Sequence, residues 1–179
     1  MSQPVLSVRE LNEADIPSLL DYWFNSEDDY LLAMGVDLSK MPTREEFSAM
    51  LYSQLNASIE SKKAYAIIWC LDDVAVGHSN INAIQFAEEA SMHLHIWKED
   101  LRKSGNGLHW LKLSIPFYFQ NFKLKRLICE PYSLNPAPHK TIEKLGFELE
   151  KEYTTTPGFI NFEQPVKRWI LTSEKFYSL

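Results

Sequence analysis

No apolar run in this chain approaches membrane-spanning length, and its N-terminal MSQPVLSVRE lacks the basic and long apolar regions of a secretory signal. Cysteine is scarce: Cys70 and Cys129 stand alone in separate strand-like runs, so no disulfide framework is written into the chain. A reduced, cytoplasmic protein is the expectation. Positive charge is in deficit. Eighteen Lys and Arg against 24 Asp and Glu leave a net charge of −6. That argues against general nucleic-acid binding, which draws its affinity from Lys and Arg on phosphates, and favours cationic small molecules or peptides. Internal repeats, low-complexity segments and composition shifts are missing as well. With 45% hydrophobic and 23% charged residues, the 179 residues are expected to form one domain, 1–179, with a sizeable core. Glycine is the last scarcity: of only six, two lie one residue apart in RKSGNG, 102–107.

What is present has clear periodicity. PVLSVREL alternates like a strand, and Asn12 then opens a segment with Ile16, Leu19, Leu20 and Trp23 at helical spacing. Thr43 and Glu46 make a capping box ahead of Phe47, Met50, Leu51 and Leu55. AYAIIWCL and VAVGHSNI, parted by Asp72-Asp73, read as a hairpin, and ASMHLHIW as a third strand of the meander. After RKSGNG comes a helix carrying Leu108, Leu111, Ile115, Tyr118, Phe119 and Phe122, with Pro116 expected to bend it. KRLICEP is a strand, and NPAPHKTIEKLGF a helix with Asn135 as cap, Pro136 at its first position and Gly146 as its stop. ELEKEYTT and VKRWILTS close the chain as strands. The order β-α-α-β-β-β-α-β-α-β-β describes an α/β (α+β) mixed sheet flanked by helices.

The glycine pair lies where a strand hands over to a helix, whose first amides lack partners and whose peptide dipoles make that end electropositive. Gly105 and Gly107 would let the backbone approach a pyrophosphate, with Arg102 and Lys103 adding charge. A dinucleotide fingerprint would need a small residue where Trp110 stands, and a P-loop would need a Gly-Lys-Ser/Thr ending that is absent. A solvated glycine-rich turn is the other reading of the loop alone.

Arg102-Lys103-Ser104-Gly105-Asn106-Gly107 resembles the Arg/Gln-x-x-Gly-x-Gly/Ala loop of the GNAT superfamily of N-acetyltransferases, in that family's place between the fourth strand and third helix. NPAPHKTIEKLGF resembles its later segment, and the L-x-C-x-P-x-S-x-N spacing of 127–135 is similar to the branch that acetylates ribosomal-protein N-termini and antibiotics. The resemblance implies a mostly antiparallel sheet splayed between strands 4 and 5, with acetyl-CoA as cofactor. Its pyrophosphate would rest on the amides from Lys103 to Leu108, its thioester against the main chain of Ile96 and Trp97, and its pantetheine arm against Asn135, which is equally well read as a plain helix cap. It also implies an amine as the second partner, handled by a monomer or homodimer.

Two positions depart from the family pattern. Ile142 stands where many members have a Tyr that protonates the leaving thiolate, and Pro138 where the N-terminal-acetylating branch has a Ser. Tyr132, Ser133, His139 or water are the candidate substitutes. Alternation along SMHLHIW puts Ser91, His93, His95 and Trp97 on one face and Met92, Leu94 and Ile96 on the other. His-x-His here resembles the pair that helps deprotonate the amine in the family's serotonin-acetylating members; counted from Arg102, His93 matches one of that pair and His95 is shifted. A zinc site needs a third spaced ligand, and none is evident; satisfied structural histidines are the remaining reading. Glu130, ending the fifth strand, is a second base candidate. For the acceptor, Glu27, Asp28, Asp29 and Asp37 can attract an ammonium, with Tyr30, Leu31, Leu32, Met34, Phe159 and Phe162 covering apolar atoms. The expected function is N-acetyl transfer to a primary amine, with a non-catalytic acyl-CoA sensor as the alternative.

Overall fold

In the computed structural model, which describes residues 4–102 and 104–179, seven strands form one sheet in the order β1-β2-β3-β4-β5-β7-β6. The strands are β1 Leu6–Glu10, β2 Ala64–Leu71, β3 Val74–Gln85, β4 Glu89–Ile96, β5 Arg126–Cys129, β6 Glu148–Thr155 and β7 Gln164–Thr172. All neighbours are antiparallel except β4 and β5. Asp72 and Asp73, at φ 49° and 64°, turn β2 into β3 through the left-handed region at both central positions, as a two-residue hairpin requires.

The expected helices form, as α1 Ile16–Phe24, α3 Arg44–Asn56, α4 Asn106–Phe122 and α5 Pro136–Lys144. Thr43 and Glu46 bond each other's backbone amides at 3.2 and 2.8 Å, so α3 starts where its capping box places it. Asn12 caps a single 3-10 turn, Glu13–Asp15, that leads into α1. Pro116 lies inside α4 without breaking it. Two short helices are additions to the expected order: α2 Asp28–Ala33, within the connection between α1 and α3, and α6 Ser173–Phe176 after β7.

The sheet buries both faces. Against one lie α4 and α5, where Trp69 stacks on Trp110 at 5.5 Å and their indole N–H groups donate to Ser114 Oγ and the Cys70 carbonyl, so that two large polar-tipped side chains are buried with no donor wasted. Against the other lie α1, α2 and part of α3, around Leu19, Tyr22, Trp23, Leu31 and Val36. On β4, Met92, Leu94 and Ile96 pack with the first cluster, while Trp97 joins the second and His95 packs on Trp23. The alternation holds, although the face that carries the histidines is partly aromatic core and only partly polar.

Candidate active site

The site is organised by where β4 and β5 part. Their parallel pairing comprises Glu89↔Arg126, Ala90↔Leu127 and Ser91↔Ile128 and ends there, while β4 runs on to Ile96. Trp97 N–H donates to Val76 O at 2.9 Å, toward β3. Alternate amides of a strand point to opposite edges, so the amide of Ile96 faces the edge that β5 has left. This narrows the expectation for the thioester contact: Ile96 offers its N–H to the gap, and Trp97 has spent its own on the sheet.

On the α4 side of that gap lies the glycine loop. Gly105 caps α4 at φ 84°, a conformation in which any L-residue is strained. Gly107 has no such constraint. A Cβ built there meets only Ile96 Cδ1, at 3.6 Å, so the protein's own packing leaves room in front of the first turn. A 17-residue helix beginning at an open glycine suits an anion. Three neighbours make bonds within the protein itself. Leu108 N–H turns inward to Gly105 O at 3.2 Å, and Ser104 Oγ donates to Leu101 O at 2.7 Å. Arg102 reaches back to the edge of β4, its Nε donating to Ile96 O at 3.1 Å, with the guanidinium 3.9 Å from the Tyr30 ring centre. It thereby takes the carbonyl that β5 no longer pairs. Asn106 begins α4, and Lys103 lies outside the described residues.

Across the sheet, on the α1 and α3 side, is a cavity of about 790 Å³ reached by His78, His93 and His95, with α3 and the loop between β6 and β7 as walls. His93 Nε2 is 3.2 Å from Asn82 Oδ1, and burial pushes its imidazole down to about 4 against the opposing pull of Glu130. His78 Nδ1 accepts from Trp97 Nε1 at 2.8 Å, which puts its proton on Nε2, and burial holds it at about 3. His95 stacks on His78 at 4.8 Å, with Nδ1 3.1 Å from Tyr22 Oη, and burial holds it well below its ordinary value. All three are neutral at pH 7 and can accept a proton, though weakly. Glu130 is committed elsewhere: Oε1 accepts from Arg168 Nη1 at 3.0 Å and from the Tyr153 hydroxyl. As a base it would first have to give up an ion pair.

Ile142, at the expected position of an acid, is a fully buried residue of α5. His139 cannot substitute freely, because Nδ1 accepts from Trp169 Nε1 at 3.1 Å and Nε2 faces Tyr132 O at 3.2 Å. Tyr132, edge-on to Phe162 at 5.9 Å, and Ser133 remain. Asn135 starts α5 without a side-chain cap bond, which leaves its amide for another partner. Glu27, Asp28 and Asp29 line a separate depression beside α1 and not the cavity, and Asp37 is held by Ser39 and Lys40. Of the apolar candidates, Met34 and Phe159 reach the cavity, whereas Tyr30 lies under Arg102. Among the described residues no three His, Cys, Asp or Glu converge as a metal site, and no helix is long and apolar enough to cross a membrane.

A parted strand pair with an anion-ready helix start on one face and a deep cavity on the other defines an acyl-CoA transferase fold. A family model for the acetyltransferase (GNAT) domain matches residues 6–148, and the chain belongs to that family, whose members take acetyl from acetyl-CoA. The spermidine N-acetyltransferase of Vibrio cholerae, solved with CoA and spermine, is similar in fold: TM-score 0.77 at 15% identity, over 96% of this chain and 98% of that one. So is RimL, a ribosomal L7/L12 alpha-N-protein acetyltransferase solved with coenzyme A, with TM-score 0.75 at 16% identity over 95% of both chains. An uncharacterized protein from Bacillus halodurans reaches 0.69 at 16% identity, over 97% of this chain and 86% of that one. Among curated proteins no match is found.

Proposed function

We propose that this chain moves the acetyl group of acetyl-CoA to a primary amine on a small molecule or a peptide N-terminus, by direct transfer in a ternary complex. The observation that carries this is the meeting of two half-sites at β4: the open first turn of α4 on one face and the His93 side of the cavity on the other, at the point where β5 leaves. Acetyl-CoA supplies an activated acyl group whose thiolate departs without much help near neutral pH. The main chain from Lys103 to Gly107, Gly107 foremost, would hold its pyrophosphate, and Asn135 its arm, whereas the Leu108 amide is spent on Gly105 O. Ile96 N–H would polarise the thioester carbonyl, an oxyanion-type contribution that needs only a fixed donor.

His93 would take the amine proton, directly or through water. A weak base suffices once nitrogen has begun to bond to carbon, because that proton is then far more acidic. A covalent acyl-enzyme has no support: Cys129, at the mouth of the gap, is a buried thiol pushed up to about 12, and Cys70 is raised as well. Burial of Ile142 where an acid is usual favours a second reading, a sensor that binds acyl-CoA without turnover.

Incubation with acetyl-CoA and a panel of amines, following free thiol and acetylated product, decides between them. Turnover on at least one amine is the expected result. Saturable CoA binding with no turnover across the panel establishes the sensor.

A further inference from the structure

The cavity is unusual for an amine site in its charge. At about 790 Å³ it can enclose a drug-sized molecule. Its walls include Trp23 of α1, Met50 and Leu51 of α3, and Phe159 and Ile160 of the β6–β7 loop. Its floor is a polar strip without formal charge: the cross-strand pairs His78↔His95 and Asn80↔His93, then Asn82. Among the described residues the lining has one carboxylate, Glu10, against two cations, Lys62 and Lys63. Glu10 already accepts the Tyr65 hydroxyl, and Lys62 Nζ bonds the carbonyls of Gln54 and Leu55 at the end of α3. The acidic run 27–29 opens elsewhere.

A molecule bearing several ammonium groups would strip each of water here and find no carboxylate free to replace it. An apolar body, by contrast, is matched over most of the wall, and a single nitrogen can lie on the floor near Asn82 and His93. Building on the transferase reading above, we infer that the acceptor is a monoamine carried on an apolar or aromatic body, and that polyamines are excluded by the cavity's lack of counter-charge. The polyamine-acetylating neighbour is similar in fold at 15% identity, and a shared fold does not supply counter-charge to this lining.

Binding and turnover are measured separately on the CoA-loaded and acetyl-CoA-loaded protein, with 2-phenylethylamine and spermidine as probes. Phenylethylamine is expected to bind at least about tenfold more tightly and to show a correspondingly higher kcat/KM. Preferential binding of phenylethylamine without turnover would uphold the ligand class while sinking the transferase reading. Equal or better binding of spermidine overturns the inference, as does failure of both amines to bind a protein that still binds CoA. Met50→Glu, and separately Phe159→Glu on the exposed loop, place a carboxylate on the wall. Either should narrow the phenylethylamine preference by about tenfold, and an unchanged preference in both means that the amine lies outside the cavity.

Discussion

A side-chain carbon at position 107 would meet only Ile96 Cδ1, at 3.6 Å, and the backbone there needs no left-handed turn. In the first turn of a helix, glycine also loses more conformational freedom on folding than a residue with a Cβ. A residue that the fold does not require and that the helix disfavours is explained by something that must come close. Gly107→Val should therefore leave the melting temperature of the free protein unchanged or slightly higher while weakening CoA affinity by about tenfold or more, read by calorimetric titration. Equal affinity would remove the anion cradle. At His93 the expected loss is about 10²-fold in kcat for His93→Ala, with CoA affinity unchanged. Sequence alone places a histidine's titration near 6.5, but burial moves this one to about 4. Any His93 limb in the pH profile of kcat/KM should lie near that lower value, leaving the acceptor's own ionisation to govern the neutral range. The identity of these residues is legible from spacing. Their committed bonds, such as Arg168 on Glu130 or Trp169 on His139, are not, because partners 38 and 30 residues apart leave no local pattern.

At the scale of elements, local rules worked where local chemistry decides. The Thr43 box, Pro136 at the start of α5, Gly146 past its end at φ 88° and the Asp72-Asp73 turn are each set by a few neighbouring residues. Helix α2 escapes such rules. It has six residues, opens on two acids and has no side-chain cap, and it is held by burial of Leu31 and by Tyr30 under Arg102. Its formation withdraws Tyr30 from the role of acceptor wall. Helix α3 has no fully buried residue and owes much of its order to its cap. Thr43→Ala should cost about 1 kcal/mol in denaturant unfolding. Since α3 walls the cavity, the acceptor's KM should rise while CoA affinity holds. A change in CoA affinity alone would contradict the separation of the two half-sites.

For the whole molecule, three buried neutral histidines beside one cavity have a consequence for acid stability. Their folded values lie below the ordinary 6.5, at about 3 for His78 and about 4 for His93, so between roughly pH 6.5 and 4 the unfolded chain takes up protons that the folded chain refuses. Stability is therefore full above about pH 6.5 and falls as the solution is acidified through that window. Denaturant titrations at pH 7.5, 6 and 5 should show this decline, with a shallower one for His78→Gln than for the unaltered chain. Equal slopes would mean that these histidines readily accept charge. The order of elements along the chain, too, could be anticipated from alternation and spacing, whereas the distribution of charge around the cavity could not, because its lining comes from distant stretches of chain. The short pairing of β4 with β5 reaches further than the gap it opens. Three residue pairs join the two parts of the sheet edge to edge, while a single core under α4 and α5 takes residues from both. The cavity takes its floor from β3 and β4 and part of its wall from Phe159 to Asn161, in the connection that leads into β7. On the transferase reading, a reactant held in the notch lies against β4, the same strand whose histidines floor the cavity that the second must enter.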